Sequence, residues 1–138
     1  GAVSATERIE LGGGMALDLL PRHAQGAYGD VLRQHDVGLA LMFTPHPSLV
    51  PIEMASAGMV TVTNAFENKT ADAMAAISPN IIAADAGLDA IAEALITAVD
   101  RSTDIDARVA GSAVRWSTDW NTSLDDALME RIDELWTS

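Results

Sequence analysis

The sequence contains no cysteine, which excludes disulfide scaffolds, thiol nucleophiles and cysteine metal sites from the start. It is also poor in positive charge: eight Lys and Arg stand against 20 Asp and Glu, a formal charge of −12. Such a surface repels nucleic acid and anionic membranes, so a polynucleotide partner is not expected. No apolar run approaches the roughly 18 residues a membrane span needs, and Gly1 to Glu10 lacks the basic-then-apolar order of a signal peptide. Gly-x-Gly-x-x-Gly, P-loop and Gly-x-Ser-x-Gly patterns are absent too. Three histidines (His23, His35, His46) have no metal-ligand spacing with one another and read as structural or surface residues.

What is present is ordinary globular composition, 49% hydrophobic and 20% charged in 138 residues, enough for a single domain with a sizeable core. The charge is uneven. Residues 1–70 carry four basic and seven acidic side chains, and residues 71–138 carry four and 13. An anionic ligand should therefore prefer the first half.

Apolar periodicity divides the chain into alternating elements. After a ragged first seven residues, Arg8–Leu11 reads as a short strand stopped by Gly12-Gly13-Gly14, a turn or a close backbone approach. Met15 to Gln25 is a mixed connection, and Gly26–His35 a short helix. Asp36–Phe43 is a nearly continuous apolar run that suits a strand buried on both faces. Pro51 is placed to open a helix that ends at Gly58. Met59–Thr63 and Asn80–Ala84 are further buried strands, with a short helix over Ala71–Ile77 between them. Residues 87–100 form an amphipathic helix, 104–116 repeat the pattern, and a last helix with apolar face Leu124, Leu128, Ile132 and Leu135 follows a cap at Thr122 or Ser123. This order predicts an α/β fold in which the strands near 8–11, 36–43, 59–63 and 80–84 form one parallel sheet with helices on both faces. Ligands bind at the carboxyl ends of such strands. That singles out the loops Gly12–Gly14, Thr44–Val50, Asn64–Thr70 and Ala84–Gly87.

Thr44–Glu53 is the most informative segment. It leaves a buried strand, turns through Pro45, His46, Pro47 and Ser48, and enters a helix whose first turn should hold Glu53. Unpaired N–H groups at a helix start attract phosphate without any basic patch. A carboxylate there either complements the helix dipole or accepts hydrogen bonds from sugar hydroxyls. Lys69 is either a solvated side chain or a phosphate ligand. Asn64 either forms a turn or meets a sugar hydroxyl. Trp116, Trp120 and Trp136 read as packing anchors.

The run Phe43 to Asn64 resembles the donor-site motif of retaining glycosyltransferases of the two-Rossmann-domain GT-B architecture. Glu53-Met54-Ala55-Ser56-Ala57-Gly58 matches its Glu-Ala-Met-Ala-x-Gly half, and Val60–Thr63 is the strand that follows. Thr44-Pro45-His46-Pro47-Ser48, Thr63-Asn64, Asn68-Lys69 and Ser78-Pro79-Asn80-Ile81 fit in order the branch containing the rhamnosyltransferase of bacterial surface-layer glycans. The likeness spans about Leu11 to Val99. It implies a Rossmann-like, partial GT-B C-terminal domain that binds a nucleoside-diphosphate sugar as substrate, with no cofactor, in cytoplasmic polysaccharide biosynthesis.

The resemblance makes Glu53 the ligand of the ribose hydroxyls and turns the amides of Ser48 and Leu49 toward the diphosphate. With the loops above, the expected donor-binding set is Glu53, Ser48, Leu49, His46, Asn64, Lys69 and Gly13. The first Glu of the family's Glu-x7-Glu pattern would fall at Pro45 and is absent. No catalytic residue is expected in this chain. No metal ligand is expected either, because the aspartate-rich motif of the other glycosyltransferase fold is missing. The resemblance further implies a partner, the N-terminal domain of the same enzyme, and makes residues 1–138 a truncated donor domain with a helical tail from about 104, inactive alone. The competing reading is a non-catalytic α/β interaction or binding module.

Overall fold

The computed structural model describes residues 8–21, 23–119 and 123–137. The expected ragged end over residues 1–7, Trp120 and the cap at Thr122 lie outside the described residues. In chain order the elements are β1 (Ile9–Gly12), β2 (Met15–Leu17), α1 (Gln25–Leu32), β3 (Val37–Leu39), α2 (Leu49–Ser56), β4 (Val60–Asn64), α3 (Ala71–Ile77), β5 (Ile81–Ala84), α4 (Leu88–Ser102), α5 (Ile105–Gly111) and α6 (Asp126–Thr137). The protein is α/β: β3, β4 and β5 form a parallel sheet in that order, flanked by helices, as a Rossmann-like partial domain would.

β4 is central, and all five of its residues are buried. Its period of two serves two layers. Val60 and Val62 face α4, where they pack with Ala94 and Ala98. The opposite face holds α2 and α3, with a core of Ile52, Ala55, Met74 and Ile81. Fully burying a side chain of valine or isoleucine size contributes about 1.5–3 kcal/mol, so this three-layer sandwich is where the stability resides. Caps close the helices. Thr70 Oγ1 accepts from Ala73 N–H at 3.2 Å, and Asp104 Oδ1 from Ala107 N–H at 2.9 Å. Gly58, at φ +88°, ends α2 in the expected left-handed conformation.

Four expectations change. The strand at 8–11 does not join the parallel sheet: β1 pairs antiparallel with β2, inside the stretch read as a mixed connection. Gly12, Gly13 and Gly14 all have positive φ, at 87°, 61° and 80°, which turns the chain straight back on itself. The hairpin's apolar residues stay exposed, Met15 at 64%. The strand at 36–43 shrinks to Val37–Leu39. It is not buried on both faces: among the described residues β3 pairs with β4 alone, and Leu39, Leu41 and Phe43 are exposed. α2 begins at Leu49 rather than Pro51, so Glu53 sits in the second turn. α6 is capped by Asp125, whose Oδ1 accepts from Leu128 N–H at 2.9 Å, not by Ser123. Among the described residues no helix is long and apolar enough to cross a membrane.

Candidate functional site

The carboxyl ends of β3 and β4 are joined by one polar device. Past Leu39 the chain leaves the sheet, with Ala40 N–H still donating to Val62 O at 2.9 Å. Two residues on, both the N–H and the C=O of Met42 are held by side chains from the end of β4 and the loop after it. Asn64 Oδ1 accepts from Met42 N–H at 2.8 Å, and Lys69 Nζ donates to Met42 O at 2.5 Å. Phe43 and Phe66 meet alongside in a tilted contact, with ring centroids 4.3 Å and planes 59° apart. Lys69 is not the exposed side chain the sequence suggested. It is 2% accessible, and burial holds its ammonium below the usual lysine range. Asn64 is buried as well, its amide also donating to Ala65 O at 3.2 Å. These two residues therefore shape the loop after β3 and do not present free groups to a phosphate.

The same loop delivers the start of α2. Ser48 is its N-cap, at φ 66° and ψ 147°, a left-handed backbone rarely taken by non-glycine residues. Two bonds hold it there. Ser48 N–H donates to His46 Nδ1 at 3.0 Å, and Ser48 Oγ accepts from Val50 N–H at 3.4 Å. Because Nδ1 accepts, the proton of the neutral imidazole is on Nε2. Of the first-turn amides, Ser48's and Val50's are thus committed and Pro51 has none, which leaves Leu49 N–H to meet a ligand. Glu53, one turn on, is exposed, and its carboxylate has no hydrogen-bond or salt-bridge partner among the described residues.

Among the described residues, two clefts at this end of the fold border the loop after β3. One, of about 550 Å³, lies between His46 and Leu49 on one side and residues 116–119 with Ser123 on the other. The other, of about 490 Å³, is an apolar groove between Leu41–Phe43, Asn64 and the start of α4. Of the expected set, His46, Ser48, Leu49 and Glu53 gather at the start of α2. Asn64 borders the apolar groove, Lys69 stands behind the loop, and Gly13, at the hairpin tip, lines neither cleft. The 116–119 wall went unread as a site because its signal, Trp-Ser-Thr-Asp after a helix, has no spacing rule. Among the described residues no three His, Asp or Glu side chains gather as a metal site would require.

Comparison with known proteins places this loop and helix in a family. Residues 1–96 match the family described as WsaF, C-terminal domain. The chain belongs to the WsaF C-terminal domain family. This family supports a glycosyltransferase-type domain, in line with the motif from Phe43 to Asn64. The O-antigen biosynthesis protein RfbC of Myxococcus xanthus is 48% identical over 48 residues, which are 35% of this chain and 4% of that protein. The matched stretch is thus a small part of that relative's length. His46, Ser48, Leu49, Glu53, Asn64 and Lys69 all lie within the WsaF-type region, and the 116–123 wall lies beyond it.

Proposed function

We propose that this WsaF-type domain holds the nucleoside-diphosphate sugar donor of a bacterial glycosyltransferase in polysaccharide biosynthesis, acting in the cytoplasm, with a rhamnosyl group as the transferred sugar. The carrying observation is the start of α2, at the carboxyl end of a parallel sheet, with one uncommitted amide and an unpartnered carboxylate a turn apart. In this reading Leu49 N–H and the positive end of the α2 dipole meet the diphosphate. Glu53 accepts hydrogen bonds from the ribose hydroxyls. His46 keeps the turn in shape through Nδ1 and has Nε2–H left to donate. As the sugar departs, charge grows on the diphosphate, and a preorganised amide lowers that barrier without reorganising.

The test is calorimetric titration of wild type and Glu53→Gln with UDP, GDP and dTDP. Charge-assisted hydrogen bonds contribute about 1.5–3 kcal/mol, so the variant should bind the preferred nucleotide roughly 10- to 150-fold more weakly. Its melting temperature should stay within about 4 °C, since an exposed helix carboxylate contributes under about 1 kcal/mol. An unchanged Kd removes the nucleotide site. One observation favours a second reading, a binding module without catalysis: Lys69, the basic side chain of the loop that follows β4, is occupied by Met42 O. Transfer of sugar by the complete natural protein would overturn that alternative.

A further inference from the structure

The cleft beside the start of α2 has a chemistry different from the phosphate end. One side is His46 and Leu49; the other is Trp116, Ser117, Thr118 and Asp119. No Lys or Arg lines it among the described residues, and Asp119 adds negative charge, so an anion is disfavoured there. Trp116 remains 38% exposed at its edge. Its wall is built rather than loose: Ser123 Oγ donates to Ser117 Oγ at 2.9 Å, Ser117 Oγ donates to Asp119 O at 2.9 Å, and Asp119 N–H donates to Ser117 Oγ at 3.3 Å.

We propose that this cleft is a carbohydrate subsite for a neutral pyranose ring, with Trp116 as its platform, Asp119 as acceptor for sugar hydroxyls and His46 Nε2–H as donor. A pyranose presents a C–H face and a rim of hydroxyls, and an aromatic face with a few convergent polar groups is its complement. A carboxylate offers about four acceptor positions, so a partner already on Asp119 leaves others for sugar hydroxyls. The His46 proton is on the free nitrogen because the other accepts from Ser48. The volume, about 550 Å³, lies within the range of small-molecule sites. Leu49 lines the cleft and also carries the uncommitted amide, so a diphosphate at that amide would place its glycosyl group here. In assigning the pyranose to the donor, the inference rests on the proposed function. The wall residues themselves lie outside the family's matched region.

The experiment is a backbone and indole N–H NMR titration of residues 1–138 with methyl α-L-rhamnopyranoside, methyl α-D-glucopyranoside and, separately, UDP. One glycoside should shift the Trp116 indole and the Leu49 amide saturably. Affinity followed at Leu49 should fall roughly tenfold in Trp116→Ala and in Asp119→Asn, with Trp116→Phe close to wild type. The spectra also report whether each variant is folded; if Trp116→Ala is not, Asp119→Asn and Trp116→Phe decide. No saturable shift with either glycoside, or equal affinity in the variants, overturns the subsite. UDP shifting Leu49 while both glycosides fail overturns the subsite and leaves the nucleotide reading standing. A glycoside response without UDP binding does the reverse.

Discussion

The two ends of the parallel sheet are built on different principles. At the amino end Arg108, from α5, donates through Nε to Gly58 O at 2.8 Å and through Nη1 to Asp36 and Ser102 O at 2.8 and 2.9 Å. Asn80 Nδ2 returns a bond to Arg108 O at 2.8 Å, and Ser78 Oγ donates to Gly111 O at 2.6 Å. Residues up to 72 positions apart are thereby tied into one network. At the carboxyl end, among the described residues, the long-range polar contacts of the loop after β3 converge on a single residue, Met42, while Leu41, Phe43 and Leu88 lie exposed along an open groove. Saturated hydrogen bonding holds the scaffold end in one arrangement. The other end keeps an amide, a carboxylate and apolar surface in reserve, which is the condition for binding anything.

The largest effects should follow from breaking the amino-end network. Arg108→Ala removes three donors, two of them to carbonyls, and should cost about 2–3 kcal/mol in urea denaturation. The Asp36 contact adds little to this, because that carboxylate is 70% exposed. Nucleotide affinity should be unchanged at a temperature where the variant is folded. Next comes Gly111→Ala. A Cβ there would sit 2.2 Å from Asn80 Oδ1 and displace the side chain that holds Arg108 O. The expected loss is about 1–3 kcal/mol, and the same substitution in Asn80→Ala should cost much less, since the clash is gone. Equal losses in both backgrounds would disconnect Gly111 from the network.

How much of this was legible in the sequence follows from the range of each interaction. β4, β5 and α4 were readable because their apolar periods are local, and Gly58 because a helix end favours a residue that accepts positive φ. The start of α2 was misplaced by two residues because proline is tolerated throughout the first turn, where N–H groups lack intrahelical partners. Gly12–Gly14 signalled a turn, but the partner strand, Met15–Leu17, is too short to announce itself. The apolar run after Asp36 suggested a strand buried on both faces and instead forms a short edge strand and a loop pinned at Met42. The burial of Lys69 and the Arg108 network depend on residues 27 to 72 positions away and have no local pattern. The glycosyltransferase-type motif was legible as a resemblance, whereas the 116–119 wall was not.

A smaller effect, of opposite sign, belongs to the middle of the sheet. Thr61 and Thr63 present buried hydroxyls with no hydrogen-bond partner among the described residues, on the α2 and α3 face of β4. Valine has nearly the same shape and no polar atom to desolvate. Thr61→Val should therefore stabilise the fold by about 1 kcal/mol or more, raising the midpoint of urea unfolding at unchanged slope. A loss would reveal a hydroxyl bonded to an internal water.

The smallest effect sharpens the contrast between the ends by titrating the one ammonium in the Met42 clamp. Burial lowers the pKa of Lys69 in the fold below its unfolded value of 10.5. Between those two values the unfolded chain binds more protons than the folded one, so this group's contribution to stability increases as pH rises. The penalty for burying the charge is present at neutral pH and is relieved as the folded lysine deprotonates, while the neutral amine still donates to Met42 O. Lys69→Met lacks this titration. The stability of wild type relative to Lys69→Met should therefore improve between pH 7 and pH 10, measured by urea denaturation at intervals across that range. The reverse trend would mean that the charged bond to Met42 O outweighs desolvation. The carboxyl-end clamp would then be electrostatic, like the Arg108 network, and not merely a shape-holding contact.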